Sequence, residues 1–287
     1  MDRALVVVSE SDPVARAVAD VWGTRPAVDG HVDGAPLRRL TESMLVLHRP
    51  GPHIHDEDLD RRLPSPLRES RPTIIFPSIH RSRENIRSLT VHPIGNLGPR
   101  ADMGGRPRTL VPTDPARMVE ALRRLDELSG PLGLPVTYEA THHGPAVELP
   151  ALFVEISSGE HSAPTPEAVR VLARVIPELD GAGGDRVALG VGGGHYVPHF
   201  TELSLRRRWA FGHLLSRHAL AELERSTAEA AYRLTEGAEG IVFSRAQDAN
   251  HPALEGLGPR LRDPDAPVRN RGATAGSTDA ARSASGT

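Results

Sequence analysis

Cysteine is absent from the 287 residues, which excludes a disulfide framework, thiolate metal sites, iron–sulfur clusters and a cysteine nucleophile. Lysine is absent as well. All 34 basic residues are arginine, so neither a Schiff-base lysine nor a P-loop lysine exists. Aromatic residues make up only 3% of the chain, so the core must be built largely from aliphatic side chains. No apolar run approaches 18 residues, and the one in MDRALVVVSESDP is too short for a signal peptide; a soluble, cytoplasmic protein without membrane contact is expected. A formal charge of −3 excludes a globally basic nucleic-acid binder but not a local basic patch, and DNA is not an expected partner. Histidine, in contrast, is plentiful at 14. That raises the prior for imidazole chemistry.

The order of patterns is that of an α/β protein. A β-branched run at residues 4–8 is followed by the cap residues Ser9, Ser11 and Asp12 ahead of Pro13, then by Val14, Ala17, Val18 and Val21 at helical spacing. Short apolar runs recur at 43–48, 73–76, 89–92, 136–140, 151–156, 187–191 and 240–243. Runs as apolar as TIIF and ALFVEI suit a sheet covered on both faces. Helices are predicted at 114–128, 165–176 and 220–235, and loops at 23–40 and 93–112. These imply one α/β domain over residues 1–262, a mostly parallel or mixed twisted sheet flanked by helices. The polar, small-residue stretch 263–287 is expected to be a disordered tail.

The histidines fall at the ends of predicted strands: His80 after TIIFPS, His92 after SLTV, His142 and His143 after VTYEAT, and His195 after ALGVGGG. Strand carboxyl ends line the ligand crevice of an open α/β sheet, so these imidazoles are expected to converge. Neighbouring residues of a strand point to opposite faces, so His142 and His143 can share a ligand only if the chain leaves the strand before Gly144-Pro145. In GVGGGHYVP, Gly192, Gly193 and Gly194 allow close backbone approach to a ligand, and the string fits neither nucleotide fingerprint. Glu155, inside an apolar strand, needs a partner; an imidazole, a metal or an arginine would serve, and Glu139 is a second such carboxylate, with Glu160 in the following loop. HIHDEDLD, residues 53–60, reads as a solvated helix cap with Asp56 at the N-cap. Arginines cluster at Arg81/Arg83/Arg87, Arg100/Arg106/Arg108 and Arg206/Arg207/Arg208 beside Trp209, suited to phosphate contact and base stacking.

The ordered strings FPSIHRSRENIRSLTVHPIGN (76–96), EATHHGP, VEISSGEH and GVGGGHYVP resemble the archaeal and plant type of D-aminoacyl-tRNA deacylase. The resemblance runs from the first strand to about residue 252. It implies hydrolysis of the ester joining a D-amino acid to the terminal adenosine of tRNA, with glycyl-tRNA as a further candidate substrate. It also implies dependence on zinc, two ions per subunit, a monomer, and a fold similar to peptidyl-tRNA hydrolases and phosphorylases. With that chemistry in view, His142, His143, His195 and Glu139 are the metal candidates. His80, His92, His142, His143, His195 and Glu155 are the catalytic ones. Gly192, Gly193, Gly194, Tyr196, Asn96 and Arg81 are the substrate-binding candidates, the glycine amides for an oxyanion or the 3′-terminal ribose. A metal-free version keeps the same residues, with imidazole as base assisted by the tRNA 2′-hydroxyl. The rivals are a metal-dependent hydrolase or phosphorylase-like enzyme acting on a small molecule, and a non-catalytic RNA-binding module using the arginines and Trp209.

Overall fold

The apolar run at the N-terminus forms β1 (Ala4–Ser9), the fully buried strand around which a sheet assembles. In the computed structural model, which describes residues 3–82, 86–159 and 163–262, the chain continues through α1 (Pro13–Trp22), β2 (Ala27–Val32), β3 (Ala35–Thr41), β4 (Met44–Arg49), α2 (Ser65–Glu69), β5 (Thr73–Ser82) and β6 (Ser88–Pro93). Then come α3 (Pro115–Ser129), β7 (Val136–Tyr138), β8 (Ala151–Gly159), α4 (Pro166–Val175), β9 (Arg186–Val191), α5 (Pro198–Arg206) and β10 (Trp209–Leu215). Two helices, α6 (Arg217–Leu220) and α7 (Arg225–Leu234), precede β11 (Gly240–Phe243) and β12 (Arg260–Leu261). The expected tail, along with Arg83 and Glu160, lies outside the described residues.

Eight strands form a mixed sheet in the order β2-β3-β4-β1-β5-β8-β6-β7, and four form a wholly parallel one in the order β10-β9-β11-β12. This is the expected single α/β fold. Helices α1, α3 and α4 cover one face of the larger sheet, where Val6, Ile75, Leu122, Val154 and Leu172 meet in the main core. The opposite face is covered by irregular segments carrying Leu59, Ile94, Val111 and Val147, packed on Leu5, Phe76 and Phe153. The two sheets are stitched together by the stretch after β7. Ala140 N–H donates to the His195 carbonyl at 2.8 Å, Thr141 N–H to the Leu214 carbonyl at 2.8 Å, and Val197 N–H to the Tyr138 carbonyl at 3.2 Å.

Three expectations are corrected. The stretch 23–40 is not a loop but the edge hairpin β2–β3; its signal was Asp33-Gly34, where φ of 49° and 82° makes the tight turn that matches strand twist. The helix expected at 220–235 starts only at Arg225; ahead of it stands a separate short helix, α6, capped by Ser216, which accepts from Ala219 N–H. Strand β10, hidden behind three arginines, buries Trp209 at 2% exposure under the Arg186 guanidinium, so that ring cannot stack on a base.

One capping residue does more than cap. Asp12 Oδ1 accepts from Val14 and Ala15 N–H at 2.8 and 2.9 Å, while Oδ2 accepts Ser78 Oγ–H at 2.8 Å and Ile79 N–H at 3.0 Å. It ties the start of α1 to β5 just before His80. Asp12→Ala is expected to cost about 2 kcal/mol in denaturant unfolding, the upper end for a lost cap; a loss under about 0.5 kcal/mol would contradict this bridging role.

Candidate metal and catalytic site

Register builds the site. Phe76, Ser78 and His80 of β5 pair with Phe153, Glu155 and Ser157 of β8, and these pair with His92, Thr90 and Ser88 of antiparallel β6. Because alternate side chains share a face, His80, His92 and Glu155 stand on one side of the sheet. His80 and His92 therefore stand on the sheet's face, within their strands, whereas His142, His143 and His195 follow the ends of β7 and β9, as expected. His92 stacks on Phe153, with centroids 4.9 Å apart and planes within 4°.

The stretch after β7 supplies the rest. Glu139 N–H donates to the Val91 carbonyl at 3.1 Å, which sets the carboxylate beside β6 with no exposure to solvent. His143 adopts a left-handed φ of 44°, an uncommon conformation for a residue with a side chain. That turn takes the chain out of the strand and leaves the His142 and His143 rings 4.3 Å apart. His195, from the loop after β9, comes within 4.7 Å of His142, ring to ring.

Glu139 Oε2 is the hub. It lies 3.6 Å from His80 Nδ1, 3.7 Å from His142 Nε2 and 3.4 Å from His195 Nε2. Glu155 Oε2 lies 3.7 Å from His80 Nδ1 and 3.5 Å from His92 Nε2. These separations are too long for hydrogen bonds. They match the spacing of ligands that share one ion, since two donors at about 2.1 Å in a tetrahedral arrangement sit about 3.4 Å apart. Both Glu139 oxygens, Glu155 Oε2, His92 Nε2 and His142 Nε2 are buried without a hydrogen-bond partner. In each of three histidines the other ring nitrogen is spoken for: Nδ1–H donates to a carbonyl, Pro93 for His92 (3.1 Å), Ala140 for His142 (2.8 Å) and Gly144 for His143 (2.7 Å). A carbonyl can only accept, so Nε2 carries the lone pair. This is the hydrogen-bonding habit of metal-binding histidine. The residues fit a metal.

Three overlapping donor groups result: His80, Glu139, His142 and His195; His92, His142 and His143; and His92, Glu139 and Glu155. All four expected ligand residues belong to these groups. Glu139, His142 and His195 fall in one group, which His80 joins, and His143 falls in another with His92 and His142. Burial, with the neighbouring imidazoles, pushes His142 well below its ordinary pKa and His143 down to about 3, so both are neutral and able to ligate at pH 7. Burial opposes ionisation of Glu139, but the surrounding imidazoles outweigh it and hold the carboxyl at about 2. Burial opposes protonation of His92 too, yet Glu155 prevails and raises it.

Several other expectations change. HIHDEDLD is no solvated cap. His53 is 3% exposed with Nε2 3.0 Å from Ser9 N and 2.9 Å from the Val7 carbonyl oxygen, Asp56 pairs with Arg49 (2.9 Å) and Arg62, and Glu57 clamps two loops. Glu57 Oε1 accepts from Gly105 N–H at 2.6 Å and Oε2 from Ala146 N–H at 2.7 Å. Asn96 spends its amide on the Gly104 carbonyl at 2.9 Å, so it is a loop staple. Gly192 N–H donates to the Leu215 carbonyl, so this amide is spent within the fold. Arg106 and Arg108 pair with Asp58 (2.5 Å) and Glu224 (2.7 Å). Arg81 does reach the site: with Ser11, Asp12, Ile54, His80, Met103, His142 and Glu155 it lines a cavity of about 570 Å³. The parts that sequence reading missed are therefore Asp12, the Ile54 turn and Met103.

A family model described as D-aminoacyl-tRNA deacylase matches residues 68–257. Among curated proteins, a D-aminoacyl-tRNA deacylase of Pyrococcus furiosus is 36% identical over 227 residues, 75% of this chain and 83% of its own length. One of Thermoplasma acidophilum is 37% identical over 172 residues, 60% of this chain and 67% of its own length. A crystal structure titled as a conserved protein of unknown function, AF0625, superposes with a TM-score of 0.77 at 29% identity, covering 89% of this chain and 90% of that one.

Burial holds His213 to about 3 as well as His143, whereas both return to about 6.5 on unfolding. Between those values the unfolded chain binds more protons, so each group lowers stability as pH falls from 7 toward 4, by up to about 1.4 kcal/mol per pH unit. His213 donates no ligand, so His213→Asn isolates one such contribution. Thermal unfolding of chelator-treated protein at pH 7, 6 and 5 should show a shallower loss for the variant than for the wild type; parallel losses would contradict the neutral, buried state.

Proposed function

The chain belongs to the D-aminoacyl-tRNA deacylase family, and from that premise we propose that it hydrolyses the ester of D-aminoacyl-tRNA, releasing tRNA and the D-amino acid. The observation that carries the reading is the Glu139 hub: a buried carboxylate ringed by three imidazoles from β5, the stretch after β7 and the loop after β9, open to a cavity on one side. The small-molecule alternative is not favoured, because relatives bearing the deacylase name match most of the chain. A non-catalytic RNA-binding module is disfavoured by the buried Trp209.

The metal we assign is zinc, with Glu139, His142 and His195 as ligands of one ion and His92, His143 and Glu155 placed around a second. Bound there, zinc would polarise the ester carbonyl and acidify a water. The remaining work falls to the chain itself. His80 keeps Nδ1 toward Glu139 and Glu155, so its Nε2 is the atom able to take a proton from water in the cavity it lines. His92, its Nδ1–H on the Pro93 carbonyl, presents Nε2 beside Glu155 Oε2 at 3.5 Å, among the donors assigned to the second ion. The Gly193 and Gly194 amides carry no hydrogen bond within the described residues and are assigned to the oxyanion or the terminal ribose. Tyr196, whose hydroxyl is 3.3 Å from Ser157 Oγ, borders His80 and His195 and is assigned to the substrate. As an enzyme of translation quality control it would act in the cytoplasm, as a monomer; among the described residues no helix is long and apolar enough to cross a membrane.

Release of tyrosine from D-tyrosyl-tRNA and L-tyrosyl-tRNA tests this reading. The D-ester should be cleaved selectively, chelation should stop the reaction and zinc should restore it. His142→Ala should slow it by at least about 100-fold. Equal cleavage of both esters would overturn the substrate, and activity undiminished by chelation would overturn the cofactor.

A further inference from the structure

We infer that one wall of the cavity, formed by Met103, Ile54, Pro52, Pro13 and Ile79, is the slot for the side chain of the aminoacyl group, and that Met103 is a specificity-determining residue. The inference rests on the deacylase reading. Its starting point is an exposed apolar side chain. Among the described residues only Val21 and Met103 are large hydrophobic residues mainly open to solvent, and Met103, 58% exposed, stands at the mouth of this cavity. Isolated exposed methionines are ordinary. This one is held in place.

The Met103 carbonyl accepts from Gly144 N–H at 3.1 Å, directly after His143. The next residue, Gly104, lies so close to the Ile54 turn that a Cβ there would come within 1.7 Å of the Ile54 carbonyl oxygen. A Cβ on Gly144 would meet Gly105 N at 2.2 Å. Three backbones thus touch where only hydrogen atoms fit, and the Glu57 carboxylate bonds to two of the segments. Met103 and Ile54 are consequently presented side by side, on a rigid mount, next to the imidazoles.

The chemistry of the substrate fixes what such a wall must face. The carbonyl under attack has to lie at the His80 and His142 end of the cavity, and the amino-acid side chain begins only two bonds from that carbon. An apolar wall contiguous with the donor cluster is therefore in reach of the side chain and turned away from the ribose oxygens. The carboxylate on this side, Asp12, already accepts from four protein donors, which leaves no oxygen lone pair to hydrogen-bond a cationic side chain. The class of substrate the slot fits is a D-amino acid with a large apolar or aromatic side chain. An apolar slot of this kind discriminates by contact area, at about tenfold for a small loss of contact.

The test compares kcat/KM for D-tyrosyl and D-alanyl esters carried by the same tRNA. Met103→Ala should lower the tyrosyl-to-alanyl ratio about tenfold. Met103→Glu, which puts a charge in the slot, should lower it further, and the exposed position should leave both variants with wild-type unfolding temperatures. A ratio unchanged in both variants, with the two esters slowed together, would place Met103 against the shared adenosine and overturn the inference while leaving the deacylase reading intact. Wild-type protein that cleaves neither ester would overturn that reading, and the inference with it.

Discussion

A carboxylate with no exposure to water and no hydrogen-bond donor cannot remain in a fold unless something else compensates its charge. Glu139 is in that position, and much of the surrounding structure can be understood as the means of placing positive charge or an ion beside it. The backbone pairing of residue 139 with β6 brings the carboxylate in; the register of β5, β8 and β6 brings His80, His92 and Glu155 to the same face; the left-handed turn at His143 brings His142 alongside. His195 arrives from the second sheet, so the cluster exists only when the two sheets are joined through residues 138–141 and 195–197. Assembly of the site and assembly of the domain are the same event.

The walls of the cavity follow a different logic from its floor. The floor is set by strand register and buried charge. The walls are set by backbone packing without side chains, at Gly104 and Gly144, and by two carboxylates used as clamps. Asp12 binds α1 to β5, and Glu57 binds the 104–105 loop to the segment after His143. Neither carboxylate belongs to the donor groups. Their work is to stop the irregular segments from drifting, which matters because those segments, not helices, cover this face of the sheet.

Much of this was legible in the sequence, and the reason differs from residue to residue. The strands β1 and β9, and the first halves of β5 and β8, are runs with almost no polar interruption, so periodicity finds them and fold class follows. The five histidines stood out because they end or follow such runs. What the sequence could not show is register: nothing local says that β6 runs antiparallel to β8, and that single fact places His92 beside Phe153 and Glu155. The division of the donors into overlapping groups, with His80 beside Glu139 and His143 beside His92, depends on the same long-range pairing. HIHDEDLD was misjudged because a run of acidic residues looks solvated; its partners, Arg49, Arg62 and the amides of Gly105 and Ala146, lie up to 89 residues away in the chain. The hairpin β2–β3 does have a local signal, since Asp33-Gly34 between short runs is a recognised turn pair.

The account stands or falls on Glu139 acting as the charge around which the imidazoles gather to hold an ion. Calorimetric titration of chelator-stripped protein with zinc measures this directly, without any substrate. The wild type should bind tightly, and Glu139→Gln, with its folded state verified by thermal unfolding, should bind at least about 100-fold more weakly. Equal affinity in the two proteins, or no binding by the wild type, would contradict it.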